Sequence, residues 1–411
     1  MAILKDPLRG HAAHTPSILE TLKTMKKQSI PVATLALALI PLSGASHAVS
    51  FSQGDATLDI NGTINGFFSY RTTKDDRGTV SNSGITNGLL PGWINFVFTT
   101  RVEDLDIKAH VGFAPGINND SSVVGLPIGG GGEPYSQIDT RNLYFQFGTD
   151  RMGTFKLGRD IGLFGQKIIL NDMTLLGLGG NTYASTPFNT TFGMIGHGYM
   201  YTGFQPQITY TTPDYSGFKA SVGVFQPSDF TDSGETSTPG VQAIAGYDWK
   251  GSMPGSVWGG AIYQDTDTGL EDVETFAARG FELGTRIGFG NFEATAYAFT
   301  GKGLGLSTVG ALFFSPYGET ESRGYFLQGT YKFGDTKVGI NYGENRDDEG
   351  LLAGNNRFRG GTIGIYHSLN KYITLVAEYN QERATGADQI NSGGYGDLDT
   401  NTISLGGIIF F

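Results

Sequence analysis

Five basic side chains, Arg71, Arg101, Lys108, His110 and Lys156, each take the polar position of a segment that alternates apolar and polar residues. Asp160, Lys167, Asn171 and Asp172 follow in the longest stretch without such alternation, 160–202. A row of cationic groups facing carboxylates across a gap sets up a field that orients hydrated solutes; it makes and breaks no bonds. Each of these residues also has a plainer reading, as a solvated charge. Covalent chemistry has no comparable candidate. Gly-x-Ser-x-Gly and His-Glu-x-x-His are absent, and with no Cys there is no thiolate metal site or disulfide framework. After residue 48 the only histidines are the scattered His110, His197 and His367. Asp265 to Gly269, with Glu271 and Asp272, lacks the full spacing of a helix–loop–helix calcium site and reads as a solvated acidic loop. Gly129 to Gly132 has no strand–helix unit around it and reads as a loop, not a phosphate cradle. No cofactor, metal or catalytic residue is expected.

The elements that must position the charges are strands. Side chains at i, i+2 and i+4 share one face of a strand, so strict alternation means one wet face and one apolar face. Ile403, Leu405, Gly407, Ile409 and Phe411 alternate with Thr402, Ser404 and Gly406. Tyr325, Leu327, Gly329, Tyr331 and Phe333 alternate with Gln328, Thr330 and Lys332. Ile107, Ala109, Val111 and Phe113 alternate with Asp106, Lys108 and His110. Sixteen such segments are expected, from 57–70 to 399–411.

Their connections alternate long and short. Long stretches fall at 71–92, 115–137, 160–202, 227–239, 266–278, 301–321, 346–356 and 383–398. Tight turns fall at Glu103-Asp104, Thr149 to Met152, Pro213 to Ser216, Gly290, Gly334-Asp335 and Leu369 to Lys371. A meander with one loop end and one turn end is the plan of a membrane β-barrel, whose strands need roughly 9–11 residues to span. Aromatics gather beside the short turns: Phe147 with Phe155, Tyr210 with Phe218, Trp249 with Trp258, Phe289 with Phe292. Rings at one level form a girdle at the membrane–water boundary. An open sheet edge cannot be tolerated in lipid, so the first strand (Leu58, Ile60, Ile64) should pair with the last.

Charged residues make up 16% of the chain and aromatics 12%, with 63 Gly among 411 residues. Such aromatic content does not suit a disordered chain, and several long apolar runs would be needed for a helical membrane protein. The single long apolar run, Ile30 to Ala45, is broken by Pro31 and Pro41, preceded by Lys26 and Lys27, and followed by Ser46-His47-Ala48. That is the plan of a cleavable secretory signal. The expected organisation is an upstream extension at 1–24, with Met25 as an alternative start, a signal at 25–48 cleaved near Ala48, and the barrel at 49–411. Removing 1–48 takes away five basic and two acidic side chains. This leaves 23 against 37, a formal charge of −14. An acidic balance argues against nucleic acid as a partner.

Taken together, these features resemble the Gram-negative outer-membrane porin family, over essentially the whole chain after the signal. The most specific local pieces are the terminal Phe411 and the stretch from Arg141 to Phe164 (RNLYFQFGTDRMGTFKLGRDIGLF). The penultimate Phe410 is a small departure. The resemblance implies an all-β, antiparallel up-and-down barrel of about sixteen strands, with a long third loop at 160–202 folded into the lumen. It implies a water-filled channel for passive diffusion of small hydrophilic solutes and ions, located in the outer membrane. It further implies a homotrimer, contact with outer-membrane lipid and lipopolysaccharide, and delivery by periplasmic chaperones to the barrel-assembly machinery, with Phe411 as the assembly signal. By the same resemblance the constriction would set Arg71, Arg101, Lys108 and Lys156 against Asp160 and Asp172. The alternatives are a substrate-selective channel for a sugar or organic anion on the same barrel, a barrel enzyme, and a soluble exported binding protein.

Overall fold

Alternating side chains become alternating faces in a closed wall of sixteen antiparallel strands. The computed structural model describes residues 48–117, 138–180, 190–200, 202–227, 236–267, 275–305, 319–348, 356–386 and 397–411. Residues 1–47 of the leader expected at 1–48, the glycine run 129–132 and residues 268–274 of the acidic stretch lie outside them. The wall consists of β2 (Ala56–Asp75), β4 (Trp93–Val102), β5 (Leu105–Pro115), β6 (Ile138–Thr149), β7 (Gly153–Ile161), β8 (Phe204–Thr211), β9 (Phe218–Phe225) and β10 (Gly240–Trp249). It continues through β11 (Gly255–Thr266), β12 (Phe276–Phe289), β13 (Phe292–Lys302), β14 (Glu321–Phe333), β15 (Thr336–Asp348), β16 (Asn356–Ser368), β17 (Ile373–Thr385) and β18 (Leu398–Phe410). Each strand pairs with its neighbour in the chain, and β18 returns to β2 from Asp399↔Lys74 to Phe410↔Thr63.

Among the described residues two further strands lie outside the sixteen. β18 leaves the start of β2 uncovered. Gly62 exchanges two backbone hydrogen bonds with Phe411, at 2.7 and 3.0 Å. Below it, β1 (Val49–Gln53) folds back over the remaining edge, from Val49↔Ile60 to Gln53↔Ala56. It thereby pairs backbone groups that would otherwise stand open at the seam. The second addition corrects the expected long connection at 71–92. β2 runs on to Asp75 and β3 (Gly78–Thr86) returns beside it, Asp75↔Gly78 to Phe67↔Thr86. Residues 78–85 are exposed on both faces, so the segment has no polar–apolar alternation for a sequence reading to find.

The outward face is apolar. Phe281, Leu283, Ile363 and Leu405 are each more than half exposed, as side chains facing lipid are when no lipid is present. Among the described residues no helix is long and apolar enough to cross a membrane; the crossing is by strands. The girdle beside the short turns is continuous across several strands. Phe147 stacks on Phe155 at 5.7 Å, Phe155 meets Tyr210 at 5.0 Å, and Tyr247 stacks on Trp249 at 6.3 Å. Their polar tips reach the turns: Tyr210 Oη donates to the Met152 carbonyl at 2.9 Å, and Trp249 Nε1 to that of Met253 at 2.7 Å. Trp258 does not belong to this girdle. It lies on the inward parity of β11 and is buried over Gly284, where an added Cβ would sit 2.2 Å from its ring.

Candidate functional site in the barrel lumen

Inward positions on β5, β6 and β7 place Lys108, Gln146 and Lys156 in one pairing row, with His110, Tyr144 and Gly158 in the next. The two ammonium groups lie over the ring of Tyr144, Lys108 Nζ at 5.7 Å and Lys156 Nζ at 5.1 Å from its centre. Lys156 also donates to Asp160 Oδ2, and Asn142 Nδ2 donates to Asp160 Oδ1 at 2.8 Å. Asp160 is thus on the wall, on β7, and not on the loop that follows. His110 is held by a polar chain. Asn95 Nδ2 donates to Asn61 at 3.0 Å, His110 Nε2 donates to Asn95 Oδ1 at 2.9 Å, and His110 Nδ1 accepts from the Tyr144 hydroxyl at 3.2 Å. A neutral imidazole donating from Nε2 and accepting at Nδ1 fits both partners.

A further cation arrives by a route that parity hides. Gly112 pairs with Asn142 and Phe113 with Thr140, so Arg141 is the extra residue of a β-bulge. Simple alternation with Leu143 and Phe145 would send Arg141 to the lipid. The bulge re-aims it, and its guanidinium lies 5.8 Å from the Trp93 ring and 5.5 Å from that of Phe204, paired with Asp139 at 3.2 Å.

Other residues expected here stand elsewhere. Arg101 faces inward but sits beside the Glu103-Asp104 turn, half exposed, 3.4 Å from Asp106. Arg71 is fourteen residues along β2 from Thr57, whose pairing row runs through Thr99 to Lys108. At about 3.3 Å per residue that is roughly 45 Å along the strand, so Arg71 belongs to the loop end, opposite Thr402. The expected cluster is therefore divided among the turn rim, the middle and the loop rim. Arg101→Glu should consequently leave ion selectivity nearly unchanged, because solvent and Asp106 already screen its charge; reversal potentials of the variant and the native channel check this.

Asp172 is also corrected. It is not an acid displayed to the lumen. Its carboxylate caps a 3-10 turn, Met173–Leu176, accepting from Thr174 N at 2.9 Å and from Tyr199 Oη at 2.6 Å. Burial pushes this loop carboxyl above its ordinary range, while the bonds from Tyr199 and Thr174 oppose that shift.

The connection after β7 runs along the inward face of half the wall. The Leu163 and Phe164 amides donate to Gln242 on β10, and the Gly165 amide donates to Glu282 on β12. A short helix, α1 (Gln166–Ile169), carries the half-buried Lys167. Met173 N donates to Gln328 on β14 at 2.7 Å, and Gln328 donates back to the Asn171 carbonyl. Leu178 N and Gly179 N donate to Glu378 Oε2 on β17 at 2.7 and 2.8 Å, and Gly198 N donates to Asn345 on β15. Leu89 N, from the segment after β3, donates to the Gly177 carbonyl at 2.9 Å. Short turns satisfy part of the loop's backbone internally, and inward side-chain amides and carboxylates of the wall take up backbone amides that those turns leave over. Those side chains are on the expected wet face; their use as loop anchors has no sequence signal.

Glu378 holds two loop amides and also accepts from Tyr366 Oη at 2.6 Å. Glu378→Ala would leave three donors without an acceptor, at about 1–3 kcal/mol each. Single-channel records should become noisy with sub-conductance steps while the barrel stays heat-modifiable. Steady, native-like conductance would contradict the anchoring role.

Comparison with known proteins agrees with this architecture. A family model described as Gram-negative porin matches residues 33–387. The anion-selective porin from Comamonas acidovorans superposes with a TM-score of 0.60 at 17% identity, covering 87% of this chain and 100% of that one. The outer membrane channel DcaP of Acinetobacter baumannii gives 0.63 at 17%, covering 88% and 99%. OmpF of Salmonella typhi, solved with daunomycin, gives 0.57 at 13%, covering 88% and 100%. Comparison with curated protein sequences returns no significant match. At these identities the solved structures share the fold.

Proposed function

This chain belongs to the Gram-negative porin family and forms an outer-membrane channel, and from that premise we propose that it passes small hydrophilic solutes passively and favours anions. The observation that carries the preference is the inward row on β5–β7. Lys108 and Lys156 flank Tyr144, and among the described residues Asp160 is the one carboxylate bonded to either. The facing carboxylates that approach the loop, Glu282 and Glu378, are occupied by backbone amides. The local balance is therefore cationic although the whole chain is acidic. Acidic groups on loops outside the membrane change net charge without lining the narrow part, and beyond about 10 Å they are screened at 0.1 M salt.

The test is the reversal potential of the purified channel in a potassium chloride gradient. A chloride-ward potential supports the reading, and a potassium-ward one opposes it. One solved relative is itself described as anion-selective, which agrees in kind. A second reading, a channel selective for an organic anion, draws on Trp93, Phe204 and Tyr144 lying beside Arg141, Lys108 and Lys156. Aromatic faces next to cations suit a carboxylate with an apolar body. Current block by benzoate, absent with chloride alone, would favour it.

Catalysis is not part of the proposal. Assembly is proposed as a homotrimer; an OmpT structure from Vibrio cholerae is described as a trimer form. Chaperone escort, recognition of Phe411 by the assembly machinery, and lipopolysaccharide as a neighbour complete the proposal. So does removal of a signal at 25–48, after an extension at 1–24. The first strand, β1, starts at Val49, immediately after the cleavage position near Ala48.

A further inference from the structure

We propose that the outer face of β13–β16 holds one lipid with an anionic phosphate headgroup, its acyl chain in an apolar groove and its phosphate on a guanidinium cluster beside it. The proposal rests on the outer-membrane reading only for which end of the barrel faces outward.

The outward positions of β15, read toward the loop end, are Ile340, Tyr342, Glu344 and Arg346. The first two line a groove with Leu327 and Gly329 of β14 and Ala294 and Ala296 of β13. Small residues make its floor and large ones its sides, a shape that suits a chain lying along the wall. Tyr325 and Tyr342, with ring centres 6.3 Å apart, stand where the groove ends. Tyrosines at such a level mark the edge of the hydrocarbon.

Arginines begin immediately beyond them. Arg346 Nε bonds Glu344 Oε1 at 2.6 Å, and an Arg357 terminal nitrogen bonds Oε2 at 2.5 Å. The carboxylate side chain is 3% exposed, whereas the two arginines are 43% and 39% exposed. Glu344 thus lies beneath the cations it pairs with, and what faces outward is guanidinium. The register sets Arg359 opposite Glu344 and Arg323 opposite Arg346. Arg323 is paired with Asp348 at 2.6 Å, while Arg359 has no ion pair among the described residues. Arg346 and Arg357 therefore share one carboxylate, Arg359 adds a third cation beside them, and the three leave a positive excess. Planar guanidiniums match phosphate oxygens. From Tyr342 to Arg346 is four residues, about 13 Å along the strand. A groove alone would take any acyl chain, and arginines alone any anion. On one strand, in this order, they select a lipid that carries both features.

Native mass spectrometry of the detergent-purified full barrel tests this, with dioleoyl phosphatidic acid, zwitterionic dioleoyl phosphatidylcholine and inorganic phosphate as probes. One phosphatidic acid per chain should be retained in preference to phosphatidylcholine. Arg359→Gln, which leaves the Glu344 pairs intact, should weaken it about fivefold, the effect of one basic residue at an anionic surface. Ala296→Phe, which fills the groove, should weaken it by as much or more. Both variants should keep native heat-modifiability and reversal potential, so failure here is separate from failure of the channel reading. Equal retention of the two lipids would overturn the proposal, as would native affinity in either variant. Competition by inorganic phosphate with no effect of Ala296→Phe would reduce it to an anion site. Loss of subunit association in both variants without loss of lipid would make the face an interface between copies.

Discussion

Lys108→Glu is expected to reverse the preference of the channel from anions to cations. The native row holds Lys108, Lys156 and Asp160, a balance of one positive charge; the variant would hold one negative. Lys108 and Lys156 both lie within 6 Å of the Tyr144 ring centre. An ion passing that ring is therefore inside the roughly 10 Å screening length of 0.1 M salt. Two unit charges about 5 Å apart interact by ~1 kcal/mol in bulk water and by several times that near a protein surface. Swinging the row by two charges should lower the chloride-to-potassium permeability ratio on the order of tenfold. Lys108 is the clean position because it makes no ion pair among the described residues, so replacing it strands no buried partner there. Lys156→Met would be harder to read. It removes the cation that Asp160 is bonded to and leaves a carboxylate only 4% exposed with Asn142.

Gly62→Leu is expected to prevent closure. A Cβ at Gly62 would lie 2.1 Å from the Trp93 carbonyl oxygen and 2.8 Å from the ring of Phe411. The first is backbone and cannot swing away. Gly62 is also the residue that exchanges the last rung of the seam with Phe411. Losing that rung in lipid leaves unpaired backbone groups at several kcal/mol each. The fraction of heat-modifiable barrel should fall more than about tenfold, which corresponds to only ~1.4 kcal/mol. Deleting Phe411 should act in the same direction through the same rung. Phe411→Ala, which keeps the backbone bonds and loses the ring, should be milder. Normal folded yield from the glycine variant would contradict the seam geometry.

The wall was legible in the sequence because a lipid-facing strand must alternate. Leu327, Gly329 and Tyr331 outward against Gln328 and Thr330 inward is a reading that the register repeats rung by rung. The closure of β18 on β2 followed from the same physics. Three features were not legible. β3 is exposed on both faces and carries no periodic signal. Arg141 is turned inward by one unpaired residue, and a bulge reverses every parity argument beyond it. The path of the third loop depends on which wet-face side chains meet a backbone amide, as Glu378 and Gln328 do and Lys108 does not. Parity gave direction without height, so Arg71, Arg101 and Lys108 shared an inward face yet stand at three levels of the barrel. Asp172 was a loop carboxylate by sequence, but its hydrogen bond to Tyr199 makes it a brace.

The most direct test of the central claim is the zero-current potential of the purified, reconstituted channel across a tenfold potassium chloride gradient, with Lys108→Glu measured alongside. The account predicts a chloride-ward potential for the native channel and a potassium-ward one for the variant, both with large ohmic steps. A native potential that is potassium-ward, or unchanged by the substitution, would mean that the β5–β7 row does not govern passage.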